Sequence, residues 1–215
     1  MAETVKTRAY SSPIRARQAE QTREAILGAA RALFVSQGFR RTTVQQIAER
    51  AGVNVDTIYS SVGRKPALMR ELVETSLSGQ GEAVPAQQRA YVQRIREASS
   101  AGDKIDIYAQ AITEIQQRMA PIFLALRDAA LTDESCRALW KEISDRRARN
   151  MLEFAADLRV TGELRPDLDD QRVADVVWSM NAAEYWVLLV EERGWTPADF
   201  QSWISDSWRR LLLAA

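Results

Sequence analysis

The chain has 215 residues, 46% hydrophobic and 27% charged, with zero formal net charge, one cysteine and no histidine. That composition supports a packed core and excludes general disorder, an internal disulfide, and the commonest general base and metal ligand. The charge is uneven: residues 1–70 carry 12 Lys/Arg against 5 Asp/Glu, and residues 71–215 carry 17 against 24, as expected of a basic end facing a polyanion and joined to an acidic body.

The longest apolar run, Tyr185 to Val190, is far short of the ~20 residues a membrane span needs. With a single cysteine, Cys136, and no apolar leader, a soluble protein of the reducing cytoplasm is expected. No internal repeat interrupts the chain.

The first 17 residues are basic and aperiodic, which predicts a flexible arm. From Thr22, the residues Ile26, Leu27, Ala30, Leu33 and Phe34 fall on one helix face, and Gly38 ends it. A second helix opens at Thr43, where Thr43-Val44-Gln45-Gln46 has the form of a capping box. Gly52 stops it. Asn54 is placed to cap a short third helix, and Pro66 to open a fourth with Leu68, Met69, Leu72 and Val73 on its buried side.

After Gly79, Gly81 and Pro85 a short helix is expected over 86–98, then one capped by Asp103 with Ile105, Tyr108, Ile112, Ile115 and Met119 in phase. Pro121 starts or kinks the next. Thr132 or Asp133 caps a long helix ended by Gly162 and Pro166. Residues 169–193 read as helix bent near Asn181, and Thr196-Pro197-Ala198-Asp199 opens the last one. The reading is all-α, with about ten helices and no strand.

Within this series the stretch from Thr43 to Tyr59 meets the steric demands of a helix-turn-helix. Ala48 is small where two helices must cross, and Gly52 tolerates the positive φ of the turn. Ile47, Val53 and Ile58 fix the second helix on the first. Asn54, Val55, Asp56, Thr57, Ser60 and Ser61 are left on the outer side, short and mostly hydrogen-bonding, as a surface that reads base edges should be. Asp56 either accepts from a cytosine amino group or, more simply, favours the helix N-terminus. Arg40, Arg41, Arg64 and Lys65 flank the hairpin where phosphates would lie.

Residues 22–73 resemble the DNA-binding domain of the TetR (tetracycline-repressor-like) family. The resemblance is carried by Ile26, Ala30, Leu33, Phe34, Gly38 and Phe39, by Thr42-Thr43-Val44, Ile47-Ala48 and Ala51-Gly52-Val53, and by Thr57-Ile58-Tyr59 with Lys65 and Leu68. It implies a flexible arm (1–17), a helix-turn-helix domain (18–64) and a ligand-binding and dimerisation domain (65–215). It further implies that Thr43, Tyr59 and Lys65 meet phosphates and that Gln45, Asn54, Val55, Asp56, Thr57, Ser60 and Ser61 approach bases or sugars. Where the family shows a second aromatic or His and then Phe, this chain has Ser60-Ser61-Val62, so its reading face is shorter.

The implied function is a transcriptional repressor released from a palindromic operator by a small hydrophobic or aromatic effector, acting as a homodimer without a cofactor. Helical faces place Tyr108, Ile112, Met119, Phe123, Trp140, Arg147, Met151, Phe154 and Trp178 around an effector pocket, with Asn150 as a further polar contact. They place Val177, Trp186, Leu189, Trp203, Ile204, Trp208 and Leu211 at a four-helix dimer interface. Two rival readings stand beside this one. An enzyme finds no dinucleotide fingerprint, P-loop or zinc motif here. An all-helical ligand-binding or adaptor protein without specific DNA binding keeps the body and drops the operator.

Overall fold

The computed structural model describes residues 13–79 and 84–214. They divide into two compact units, Met1–Leu68 and Met69–Ala215.

The first unit is built from α1 (Pro13–Gln37), α2 (Val44–Ala51), α3 (Val55–Ser61) and the first turn of α4 (Lys65–Ser78), inside which the division falls. Helix α1 packs on α2 and α3, and α2 on α3. Their shared core is Ile26, Ala30, Phe34, Phe39, Ile47, Ala48, Ile58 and Leu68. Of the arm expected over 1–17, residues 1–12 lie outside those described, and the rest is not an arm: α1 begins at Pro13, nine residues before Thr22. Residues 14–21 are exposed, so they carry no apolar periodicity. Their Ala, Arg, Gln and Glu content sustains helix by propensity alone.

The second unit contains the rest of α4, a single 3-10 turn (Ala86–Gln88), α5 (Ala90–Glu97), α6 (Ala101–Ala130), α7 (Glu134–Arg159), α8 (Asp170–Met180), α9 (Ala183–Trp186) continuing as a π turn (Val187–Glu192), and α10 (Pro197–Leu212). Helix α6 is the axis: α5, α7, α9 and α10 all pack on it, and α8 covers α7. The cap of α6 is Ser100, whose hydroxyl accepts from the Asp103 amide at 3.0 Å. Asp103, expected as the cap, is instead the acid of the first turn. Pro121 neither starts nor ends a helix but lies inside α6, where it costs one backbone hydrogen bond that the packing of a 30-residue helix outweighs. Asp133 caps α7, accepting from the Cys136 amide at 2.9 Å.

The stretch read as one bent helix is divided. Asp169 caps α8, and the helix breaks at Asn181 and Ala182 before α9. Thr196 and Asp199 form a full capping box on α10 with Pro197 at its first position. A lone antiparallel bridge, Leu164 to Leu213, ties the turn after α7 to the end of α10, and the described residues hold no strand beyond it.

Candidate nucleic-acid interface and ligand cavity

The Thr43 hydroxyl accepts from the Gln46 amide at 3.1 Å and the Gln46 side chain accepts from the Thr43 amide at 2.9 Å, which opens α2. At its other end Gly52 adopts φ 68°, a conformation that costs a residue with a Cβ roughly 1–2 kcal/mol. The Val53 amide closes the turn on the Ala48 carbonyl at 3.0 Å. Ile47, Ala48 and Ile58 are buried, so α3 is held by one side only. Its other side presents Asn54, Asp56, Tyr59 and Ser60, all exposed, with Val55, Thr57 and Ser61 half-buried.

Asn54 stands at the N-cap of α3 but its side chain makes no capping bond. The cap foreseen there is one of position only, and the amide is left to the surface. The Gln45 side chain donates to Glu49 at 3.1 Å along the exposed face of α2. Lys65 is more committed than a phosphate contact needs to be. Its ammonium donates to the carbonyls of Phe39 at 2.8 Å and Thr42 at 2.9 Å and sits 4.2 Å from the Phe39 ring centroid. It thereby clamps the α1–α2 connection to the start of α4.

In the second unit, α4, α5, α6 and α7 enclose a cavity of about 620 Å³, within the range of small-molecule sites. Ile95, Ile112, Ile115, Met119 and Phe154 supply its apolar wall. Tyr108, Arg147, Met151 and Asn181 form a polar end. There the Asn181 amide donates to the Tyr108 hydroxyl at 2.7 Å and accepts from Arg147, while the Tyr108 hydroxyl donates to the Met151 sulfur at 3.3 Å. Gln116 donates to the Asn181 backbone carbonyl at 2.7 Å. Burial pushes the Tyr108 phenol above its ordinary range and lowers the Arg147 guanidinium, the latter opposed by the nearby phenol. At the rim Arg70 grips Glu142 through two parallel bonds of 2.8 and 2.7 Å, and Arg146 pairs with Glu74 at 2.8 Å.

Residues 26–72 match the family model described as bacterial regulatory proteins, tetR family. That stretch spans the whole α2–turn–α3 geometry described above. That domain is of the tetR type. Whole-chain structural similarity extends to the second unit. NalD of Pseudomonas aeruginosa, the secondary repressor of the MexAB-OprM multidrug efflux pump, aligns at TM-score 0.67 and 20% identity over 92% of this chain and 98% of that one. SmeT in its complex with triclosan aligns at 0.69 and 19% over 90% and 92%. FadR of Bacillus subtilis in complex with stearoyl-CoA aligns at 0.69 and 17% over 86% and 97%. At these identities the likeness is one of fold. No curated protein matches the sequence.

The second unit places the predicted pocket residues in two groups. Tyr108, Ile112, Met119, Arg147, Met151 and Phe154 line the cavity, as does Asn150. Phe123 and Trp140 do not: their rings pack against each other at 4.5 Å, and Phe123 is core. Trp178 also lies outside the wall, 37% exposed, with the Arg147 guanidinium 5.3 Å from its ring centroid. Sequence reasoning missed Asn181 as a lining residue, although a polar side chain within the mostly apolar stretch 176–190 was a signal for it. Tyr91 and Ile95 of α5 were missed because that helix is too short for a clear period.

The interface set needs correction. Val177, Ile204 and Trp208 are 0% exposed and Trp186 is 4% exposed, so the chain's own packing covers them and they offer nothing to a second copy. Leu189, Trp203 and Leu211 keep accessible surface. Tyr185 and Leu188 are exposed beside them in sequence. Among the described residues no helix is long and apolar enough to cross a membrane, and no cluster of three or more His, Cys, Asp or Glu is placed to hold a metal.

The doubly bonded Thr43 cap gives a first prediction. Thr43→Ala is expected to destabilise the first unit by about 1 kcal/mol, lowering its melting temperature by roughly 4–8 °C. A thermal melt followed by circular dichroism checks this. An unchanged melt would show that α2 does not depend on its cap.

Proposed function

We propose that this chain is a TetR-family transcriptional repressor that binds a palindromic operator as a homodimer and leaves it when a small apolar or aromatic molecule enters the cavity of the second unit. The observation that carries the reading is the outer side of α3, short, polar and exposed, held from behind by Ile47, Ala48 and Ile58. A helix so presented fits the major groove. Thr43 and Tyr59 stand exposed beside it for backbone phosphates. Arg40, Arg41 and Arg64, also exposed, supply the sequence-independent attraction.

The effector half of the reading draws support from the cavity's size and apolar wall. Among proteins of this fold, SmeT is seen with triclosan and FadR with stearoyl-CoA. The dimer half draws support from exposed apolar groups on α8 to α10: Trp178, Tyr185, Leu188 and Leu211. These replace the buried four as interface candidates.

Fluorescence anisotropy with a labelled duplex from upstream of the protein's own gene tests the proposal. The expected result is binding at least about a thousandfold tighter than to a scrambled duplex, with a steep inverse salt dependence. Equal affinity for both duplexes, or no binding at low salt, would leave an all-helical ligand-binding or adaptor protein instead.

A further inference from the structure

Among the described residues Arg147 has no carboxylate partner. Its guanidinium is half-buried on α7, stacked at 5.6 Å from the Phe123 ring centroid and 5.3 Å from that of Trp178. Its hydrogen bonds go to two neutral oxygens, the Asn181 side chain and the Trp178 carbonyl. The acids of the cavity wall are elsewhere engaged or remote. Glu142 holds Arg70, Glu74 holds Arg146, and Glu153 accepts from Gln87. Asp157 is ten residues along the same helix, roughly 15 Å away at 1.5 Å per residue. A cation withdrawn from water without a partner is costly, and the cost falls when an anion arrives.

A second donor stands beside it. The one Asn181 amide touches both Arg147 and the Tyr108 hydroxyl. That hydroxyl spends its proton on a thioether at 3.3 Å, a weak acceptor. A carboxylate at this end of the cavity would take the phenol proton's hydrogen bond from Met151 and a guanidinium bond from Arg147, replacing a poor acceptor and an absent charge at one stroke. The rest of the space is walled by Ile95, Ile112, Ile115, Met119 and Phe154.

We propose that the cavity selects an organic anion, a monocarboxylate on a flat or extended apolar body, with its carboxylate received by Arg147 and Tyr108. This rests on the reading of the cavity as an effector site and names the effector's charge. It favours a carboxylate over its own neutral amide, the reverse of the preference that an apolar pocket alone would show.

Isothermal titration calorimetry on the full chain with naphthalene-1-acetate and naphthalene-1-acetamide, and with decanoate and decanamide, tests it. In each pair the acid is expected to bind at least about tenfold tighter than the amide. Arg147→Met should abolish that preference while leaving the amide within about threefold of its original affinity, and Arg147→Lys should retain part of it. Amide binding within threefold is also the check that the variant's cavity is intact. Equal binding of acid and amide, no binding of either acid, or an acid preference that survives in Arg147→Met would each overturn the proposal. Operator release is read separately by anisotropy. Acid binding that depends on Arg147 but leaves the operator complex unchanged would refute effector control and leave the charge assignment standing.

Discussion

Trp208→Ala is expected to unfold the second unit rather than to separate a dimer. The indole is 0% exposed and stacked on Tyr108, with centroids 5.4 Å apart and planes within 12°. Tyr108 in turn meets Phe154 at 4.8 Å, so Trp208 backs two residues that line the cavity. The indole N–H has no hydrogen-bond partner among the described residues, so the loss is of packed area and shape alone. Large-to-small changes of this kind cost about 3–5 kcal/mol, a large part of the roughly 5–15 kcal/mol that holds an ordinary domain folded. Urea unfolding followed by far-UV circular dichroism should show the midpoint fall sharply, and binding of any cavity ligand should weaken in parallel. Leu211→Ala, on the same helix but 44% exposed, should move the midpoint by less than about 0.5 kcal/mol. If Trp208→Ala left the midpoint in place and halved the mass in sedimentation, Trp208 would belong to an intersubunit surface after all.

The contrast between these residues of α10 explains what the sequence can and cannot disclose. Periodicity reveals which side of a helix is covered and is silent on what covers it. Trp208, Ile204 and Leu211 look alike in the sequence as apolar residues of one amphipathic helix. Only the position of α6 beneath α10 makes two of them core and leaves the third at the surface. The same limit applied to the cavity: Phe123 and Tyr108 share α6 and its buried aspect, and the partner ring of Trp140 decides that Phe123 fills space where Tyr108 borders it. The helix-turn-helix was legible because its constraints are local. The φ of Gly52, the small side chain of Ala48 and the Thr43–Gln46 cap are each fixed by neighbours within four residues. Lys65 was half legible: its place at the start of α4 was clear, but its acceptors are 26 and 23 residues away.

For Lys65→Ala, two effects are therefore expected where a surface phosphate contact would give one. The ammonium makes two charge-assisted bonds to backbone carbonyls and a cation–π contact inside the first unit. Hydrogen bonds to a charged group contribute about 1.5–3 kcal/mol each and the ring contact about 0.5–1, with partial loss to water because the residue is half-buried. A destabilisation of roughly 2–4 kcal/mol of the first unit follows, since the carbonyls of Phe39 and Thr42 lose their donor. The two-carbonyl clamp also fixes the connection that carries Arg40 and Arg41 and leads into the Thr43 cap, so operator affinity should fall across all duplexes. The salt slope separates the causes. A lysine that neutralises a phosphate contributes about 0.9 to the slope of log affinity against log salt, and its removal flattens the line by that amount. A lysine that only shapes the domain lowers the line without flattening it. Arg64→Ala, exposed and one residue earlier, is the control expected to flatten the slope with a stability change of less than about 0.5 kcal/mol. For Lys65→Ala the expectation is a lower melting temperature with a slope reduced by less than that of Arg64→Ala. A flattened slope at unchanged stability would return Lys65 to the phosphate backbone and leave the Phe39–Thr42 clamp without energetic weight.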